Sequence, residues 1–119
     1  MQASSPRALV VDDDAALRLL SRVNLELDGF VVAEASTLAE AEAALQETRP
    51  DVVLLDVHLA AEHTDKLLAR MRSDGIPVAL VTGSVDVEKY RRAADGVLTK
   101  PFAPQDLVDL ARRLARVEA

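Results

Sequence analysis

Residues 52–56 of this 119-residue chain read Val-Val-Leu-Leu-Asp, and this stretch decides the fold. Four consecutive apolar residues are typical of a central strand in a parallel sheet, buried on both faces. The apolar run stops at a carboxylate, Asp56. In an open parallel sheet, ligands bind beyond the carboxyl ends of the strands. The stretch therefore predicts the type of sheet and also the edge of it at which polar chemistry would lie.

On either side of this strand, the chain alternates short apolar runs with amphipathic stretches. The other runs that we interpret as strands are Ala8–Val11, Phe30–Ala33, Val78–Val81 and Gly96–Thr99. Each strand is followed by a stretch with helical periodicity. Such alternation predicts an α/β fold, in which a doubly wound five-stranded parallel sheet carries helices on both faces. A closed barrel of eight such units would need about 200 residues or more.

Local signals mark where several helices begin and which faces they bury. Thr37 and Glu40 form a capping box ahead of the second helix. Thr64 stands where it can cap the third helix, and Pro104 opens the last one. The first helix has an apolar stripe at helical spacing, which we expect to face the core and which consists of Ala16, Leu20, Val23 and Leu27.

Polar residues follow four of the predicted strands: Asp12 and Asp13, Asp56, Thr82, and Lys100. Three carboxylates close together repel one another, and a divalent cation removes the conflict. The available ligands are oxygen atoms, which favour a hard ion, and magnesium commonly takes one or two carboxylates together with phosphate oxygens. The lysine and the threonine would then bind the oxygens of a phosphoryl group, and an aspartate can be the nucleophile that accepts it.

The composition excludes several other classes of protein. The chain has no cysteine, which removes disulfide frameworks and thiolate metal sites, and no apolar run approaches the length of a membrane span. Residues Met1 to Pro6 lack the apolar stretch of a signal peptide, so we expect a cytoplasmic protein. The formal net charge of −6 argues against direct binding of nucleic acid. No glycine-rich loop follows the first strand, which argues against a nucleotide-binding domain.

The polar strand ends, in this order along the chain, resemble the receiver domains of two-component signalling. The resemblance is carried by residues 10–13 (VVDD), 54–56 (LLD), 81–83 (VTG) and 99–102 (TKPF), and it extends from about Arg7 to Val117. It implies a flavodoxin-like fold with strand order 2-1-3-4-5, and residues 1–119 forming a single receiver domain. It also implies a phosphorylation-dependent switch rather than an enzyme. Such a switch catalyses only its own phosphorylation and slow dephosphorylation.

The resemblance also implies a role for each site residue. Asp56 would be the phosphoacceptor, and its partner would be a histidine kinase or a phosphotransfer protein. Asp13, Asp56 and the backbone carbonyl of His58 would bind Mg²⁺, with Asp12 holding the ion through water. The phosphoryl oxygens would be bound by Thr82, by Lys100 and by the backbone N–H of Gly83. The Lys100–Pro101 peptide bond would be cis.

Val97 and the length of the segment after Thr82 depart from the family pattern, as does the loop that follows Asp56. Val97 stands where the family usually has an aromatic switch residue, so the usual read-out of phosphorylation is in question. Only 18 positions separate Thr82 from Lys100, about one helical turn fewer than is usual. We therefore expect a shortened fourth helix, around Val87 to Ala94, and a monomer or weak dimer.

Two other functions remain open at this point. The chain could be a pseudo-receiver, a constitutive protein-interaction module that is never phosphorylated, and Val97 and the short fourth helix favour that alternative. An aspartyl phosphatase or phosphotransferase is less well supported, because such enzymes usually need a second acid where His58 stands. The sequence leaves open whether the chain is a single-domain regulator or part of a longer protein, and it does not identify the kinase or the effector.

Overall fold

The protein, analysed as a computed structural model, is described over residues 5–57, 59, 64–83, 91–92 and 94–117. Five parallel strands form one sheet in the order β2-β1-β3-β4-β5. This is the doubly wound order expected from the sequence. From β1, the chain adds β2 on one side of the sheet, and then β3, β4 and β5 on the other side. The strands are β1 (Arg7–Val11), β2 (Val31–Ala35), β3 (Val52–Asp56), β4 (Val78–Thr82) and β5 (Gly96–Thr99).

Helices cover both faces of the sheet. They are α1 (Ala15–Leu27), α2 (Leu38–Glu47), α3 (Asp65–Ser73) and α4 (Pro104–Ala115). The shortened fourth helix was predicted around Val87 to Ala94, and residues 87–90 and 93 of that span lie outside the described residues, so that helix stays a prediction. None of the helices described here has the length and apolar character needed to cross a membrane.

The central strands supply side chains to two separate cores, one on each face. Val53 and Leu55 of β3 pack on the face covered by α2 and α3. Val52 and Leu54 of the same strand pack on the opposite face, with α1 and α4. All five residues of β3 are buried, as its apolar sequence predicts. This burial fixes β3 in the middle of the molecule and sets Asp56 at its carboxyl end.

The predicted helix starts are correct, but one predicted cap is not. The Glu40 N–H donates to Thr37 Oγ1 over 3.1 Å, and the Glu40 carboxylate accepts the Ser36 N–H over 2.7 Å, so the capping box closes on Ser36. Thr64 precedes α3 but makes no side-chain cap hydrogen bond. The physical reason is its helical backbone conformation, φ −91° and ψ −2°, since a capping residue normally has extended dihedral angles.

The apolar stripe of α1 faces away from the core, contrary to the sequence-based expectation. Leu20, Val23 and Leu27 are 41%, 43% and 82% exposed. The residues that α1 buries are Ser21 and Leu25. A helix with apolar side chains on two sides gives the same periodicity for either orientation, so the spacing alone does not select the buried face.

Two ion pairs connect α1 to its neighbours in the observed orientation. On one side, Arg18 Nε lies 3.1 Å from Glu34 Oε1 of β2. On the other side, Arg112 Nη1 of α4 lies 2.8 Å from Asp28 Oδ2, at the end of α1. In this orientation Leu25 is buried, and Leu19, Leu20, Val23 and Leu27 lie on the outer surface.

Candidate functional site

Three carboxylates meet at the carboxyl edge of the sheet. Strands β1 and β3 are parallel neighbours, and Val11 pairs with Leu55, so the residues that follow them end side by side. Carboxylate oxygens of Asp12, Asp13 and Asp56 all lie within 4.8 Å of one another. Asp12 and Asp56 are 5% and 4% exposed, whereas Asp13 is open to solvent. The sheet thus brings together the three acids singled out from the sequence.

A lysine that follows β5, at the same edge of the sheet, completes this cluster. Lys100 Nζ lies 3.5 Å from Asp12 Oδ2 and 3.6 Å from Asp56 Oδ2. The backbone N–H of Lys100 donates to the Thr82 carbonyl over 2.8 Å, which ties the ends of β5 and β4 together. The Lys100–Pro101 peptide bond is cis, as predicted.

The other two residues expected to bind phosphoryl oxygens lie at the end of β4. Thr82 is fully buried and is the last residue of the strand. Gly83 follows it and is exposed. His58, whose backbone carbonyl was predicted as a metal ligand, lies outside the described residues. Its place in the site therefore stays a prediction.

Burial makes the ionised form of Asp12 unfavourable. It raises the pKa of the Asp12 carboxyl above its ordinary value, and the neighbouring charge of Asp56 raises it further. Two contacts act in the opposite direction: the Asp14 N–H donates to Asp12 Oδ1 over 2.9 Å, and Lys100 contributes a positive charge. The pKa remains raised, so the lysine compensates the carboxylates only in part.

The charges and donor atoms of the cluster fit a magnesium ion. Three ionised carboxylates and one ammonium group carry a formal charge of −2, which a divalent cation would cancel. All three acids offer oxygen, the donor atom that hard cations prefer. Asp12, Asp13 and Asp56 are therefore the described residues that would hold Mg²⁺.

Asp14 has a structural role at the start of α1. Its Oδ1 accepts the backbone N–H groups of Ala16 over 3.0 Å and of Leu17 over 3.2 Å, which caps the N-terminus of α1. The Asp12 N–H donates to the Ala35 carbonyl of β2 over 3.0 Å. The acidic turn at residues 12–14 is thus held by both β2 and α1.

Sequence reasoning missed Arg18 and Glu34. Arg18 Nη1 donates to the backbone carbonyl of Asp12 over 2.8 Å, and Arg18 Nε donates to Glu34 over 3.1 Å. An arginine on an amphipathic helix resembles any other surface charge. The one signal in the sequence is its distance from the acidic turn, since the fourth residue of a helix lies close to the turn that precedes it.

The departure at Val97 coincides with an open groove. Val97 is half-buried on β5, where it pairs with Leu80 of β4. A groove of about 330 Å³ runs beside it, lined by Arg91, Asp95, Gly96, Val97 and Arg113. Open space thus lies beside the valine, at the position where the family usually has an aromatic residue.

Known proteins share both the sequence pattern and the fold. Residues 8–112 match the family described as the response regulator receiver domain. The DNA-binding response regulator MtrA of Mycobacterium tuberculosis is 35% identical over 121 residues, which cover 98% of this chain and 53% of that protein. The phosphate regulon transcriptional regulatory protein PhoB of Pseudomonas aeruginosa is 33% identical over 116 residues, which cover 91% of this chain and 51% of that protein. The chain thus spans about half the length of these relatives.

Solved structures agree with the sequence comparison. The CheY-like response regulator receiver domain protein of Methanospirillum hungatei has a TM-score of 0.85 and 28% sequence identity, with 95% of each chain covered. The receiver domain of NtrX from Brucella abortus has a TM-score of 0.84 and 27% identity, with 93% of this chain and 99% of that chain covered. Since the family match spans residues 8–112 and the strand order is the expected one, the chain belongs to the receiver domains of response regulators in two-component signalling.

Proposed function

We propose that this domain is a phosphorylation switch in which Asp56 accepts a phosphoryl group in the presence of Mg²⁺. The observation that carries the proposal is the close approach of three carboxylates and one ammonium group at the end of a buried parallel sheet. Such a cluster is costly to assemble without a bound cation, because burial already raises the pKa of Asp12. The carboxylates would bind the cation, and the ammonium group of Lys100 would bind the phosphoryl group.

In the proposed reaction, a carboxylate oxygen of Asp56 attacks the phosphorus of a phosphohistidine on a histidine kinase or phosphotransfer protein. The P–N bond breaks, its electron pair stays with the imidazole, and an acyl phosphate forms on Asp56. Lys100, which lies within 3.6 Å of the nucleophile, would bind an oxygen of the transferred group. The Thr82 hydroxyl and the Gly83 N–H would bind the others.

Bound by Asp12, Asp13, Asp56 and the carbonyl of His58, Mg²⁺ would offset negative charge on the phosphoryl oxygens during transfer. The protein's own part is to hold these groups in place. Asp56 is fixed by a strand that is buried throughout, and Lys100 by the backbone bond from its N–H to Thr82. Positioning and neutralisation of charge account for most of the catalysis of phosphoryl transfer.

The domain would act as a switch and not as an enzyme with turnover on a separate substrate. Phosphorylation would alter its interaction with a partner or effector, in the cytoplasm. The constitutive pseudo-receiver gains no support from the described residues, because the acids and the lysine that phosphoryl transfer requires lie together.

Acetyl phosphate and intact-protein mass spectrometry test the proposal. With Mg²⁺ present, the wild-type protein should gain the mass of one phosphoryl group, and Asp56→Asn should gain none. Chelation of the metal should abolish the gain. A folded wild-type protein that gains no mass and binds no Mg²⁺ would overturn the proposal in favour of a constitutive interaction module.

A further inference from the structure

One arginine links the acidic turn of the site to the neighbouring strand. Arg18 Nη1 donates a hydrogen bond of 2.8 Å to the backbone carbonyl of Asp12. The backbone N–H of Asp12 donates to the Ala35 carbonyl over 3.0 Å. Both backbone polar groups of Asp12 are therefore engaged, one by β2 and the other by Arg18. The direction in which the chain leaves β1 is fixed at this point.

Arg18 is itself held in place by a carboxylate. Its Nε donates to Glu34 Oε1 over 3.1 Å, and the side chain of Arg18 is only 20% exposed. Glu34 belongs to β2, and its backbone pairs in register with Val10 of β1, so its main chain is fixed in the sheet. A planar guanidinium group that is bonded through both Nε and Nη1 has little freedom to turn. Glu34 therefore directs the Nη1 donor of Arg18 toward the turn.

The contact contributes direction more than charge. The positive charge of Arg18 is matched by Glu34, and its bond to the site is made to a neutral carbonyl, not to a carboxylate. Arg22 offers a direct comparison on the same helix. Its Nη1 lies 2.8 Å from the other oxygen of Glu34. The hydrogen bonds of Arg22 go to Glu34 and Glu26, whereas that of Arg18 Nη1 goes to the carbonyl of Asp12.

We infer that Arg18 is a positioning residue for the metal site. Arg18 holds the Asp12 carbonyl so that the carboxylates of Asp12 and Asp13 point into the site. This inference rests on the proposed function, because it assigns a role toward the Mg²⁺ of that site. Partners that orient metal ligands typically change affinity by about 10- to 100-fold when removed. Loss of the Arg18 contact should therefore weaken Mg²⁺ binding by about 10-fold or more.

The test compares Arg18→Met with Arg22→Met in the full chain. Methionine keeps much of the apolar stem of arginine and removes the donors. Isothermal titration with Mg²⁺ at constant ionic strength should give a dissociation constant about 10-fold higher for Arg18→Met, and within 2-fold of wild type for Arg22→Met. Both variants lose an ion pair with Glu34, and Arg22→Met also loses the pair with Glu26, but only Arg18→Met loses the bond to Asp12.

A second variant separates direction from charge. Glu34→Gln removes the negative charge but keeps an oxygen that accepts the Arg18 Nε–H. Mg²⁺ affinity within about 3-fold of wild type is expected, since the direction of the guanidinium is preserved. Removal of the Arg18 positive charge alone would tighten Mg²⁺ binding, so weaker binding in Arg18→Met reports the lost hydrogen bond. A loss as large in Glu34→Gln would overturn the inference, because that variant keeps the direction of the guanidinium.

Phosphorylation provides a further readout that a general loss of stability would not produce. In Arg18→Met, the Mg²⁺ concentration for half-maximal phosphorylation by acetyl phosphate should rise about 10-fold, with the rate at saturating Mg²⁺ unchanged. Equal Mg²⁺ affinity in wild type and Arg18→Met would overturn the inference while leaving the proposed function intact. A wild-type protein that binds no Mg²⁺ would overturn the proposed function and the inference with it. If Arg18→Met is unfolded without metal, Arg18→Lys replaces it, since lysine cannot reproduce the two-donor geometry.

Discussion

Lys100 Nζ lies 3.6 Å from Asp56 Oδ2, at the carboxylate that we propose as the phosphoacceptor. At this distance, the ammonium group is close enough to bind an oxygen of a phosphoryl group on Asp56. The same positive charge opposes a divalent cation bound to the same carboxylate. Lys100 should therefore favour one step of the proposed reaction and disfavour another, and the two effects are separable by experiment.

Lys100→Met is expected to slow phosphorylation and to tighten Mg²⁺ binding. Removing one group that stabilises developing charge typically costs about 100- to 1,000-fold in rate. Phosphorylation by acetyl phosphate, followed by intact mass at saturating Mg²⁺, should show a loss of that order. Titration should show a lower Mg²⁺ dissociation constant than in wild type. Lys66→Met, at an exposed lysine on α3, serves as the control and should change neither value. Weaker Mg²⁺ binding in Lys100→Met would contradict this account.

Asp12 should make the metal-free protein less stable as the pH rises. Its pKa is raised in the folded state, chiefly by burial and then by Asp56. The folded protein therefore binds a proton at Asp12 more readily than the unfolded chain does. Stability from this group is fully present below the unfolded pKa of about 3.9, and it is lost as the pH rises through the raised folded pKa.

Asp12→Asn tests this pH dependence. Asparagine keeps an oxygen that can accept the Asp14 N–H, but it does not ionise. In urea denaturation with chelator, the variant should gain stability relative to wild type between pH 4 and pH 7. The comparison at pH 7 decides the matter: an Asp12→Asn protein less stable than wild type without metal would show that the ionised carboxylate is stabilised in the fold.

The orientation of α1 leads to a prediction that contrasts two leucines of one helix. Leu25 is fully buried and Leu27 is 82% exposed. Leu25→Ala should lower the free energy of unfolding by about 2–5 kcal/mol, the usual cost of removing a buried leucine side chain. Leu27→Ala should change it by less than about 0.5 kcal/mol. Urea denaturation of the two variants measures both values. Equal losses of unfolding free energy would contradict the observed orientation of α1 and would mean that Leu27 is also buried.

That contrast also marks where sequence reasoning about the fold succeeds. The strands are predicted well because β3 and β4 are apolar at nearly every position, and burial on both faces leaves no orientation to choose. The sequence of α1 has apolar residues on two sides. In the structure it buries Leu25, and it makes the pairs Arg18–Glu34 and Arg112–Asp28, which join distant parts of the chain and cannot be read from the helix alone.

The site divides in the same way. Asp12, Asp13, Asp56 and Lys100 were predictable, because each directly follows or ends an apolar strand and parallel strands end at one edge. Arg18 was not, because its role depends on a bond to a backbone carbonyl, which leaves no mark on residue type. Thr64 was misread for a related reason, since a threonine before a helix caps it only if its backbone is extended.

Close packing of α4 on β5 should make Gly96 intolerant of a side chain. A Cβ at Gly96 would lie 2.8 Å from Leu110 Cδ1, and Leu110 is buried. Gly96→Ala should therefore destabilise the protein by roughly 1–3 kcal/mol, as overpacking in a core does. Gly83→Ala is the control, because its Cβ would meet Lys100 Cβ at an ordinary 3.9 Å. Thermal denaturation should leave Gly83→Ala close to wild type, and a similar loss in both variants would refute the packing argument.

Asp13 and Asp14 are adjacent acids with different expected roles, and substitution should separate them. Asp13→Asn removes a proposed metal ligand and one of three mutually repelling charges. It should not destabilise the metal-free protein, but it should abolish most of the stabilisation by Mg²⁺, about 2.7 kcal/mol at 100 times the dissociation constant for a single site. Asp14→Ala removes the cap of α1 and should cost about 1 kcal/mol with or without metal.

Urea denaturation of the two variants, each with chelator and with saturating Mg²⁺, gives the four values needed. Asp14→Ala should keep the full increment from Mg²⁺, because its carboxylate accepts bonds from Ala16 and Leu17 and is not among the clustered acids. An Asp13→Asn protein that still gains the wild-type increment would exclude Asp13 as a ligand. A loss of the increment in both variants would mean that capping of α1 and metal binding are coupled through the turn at residues 12–14.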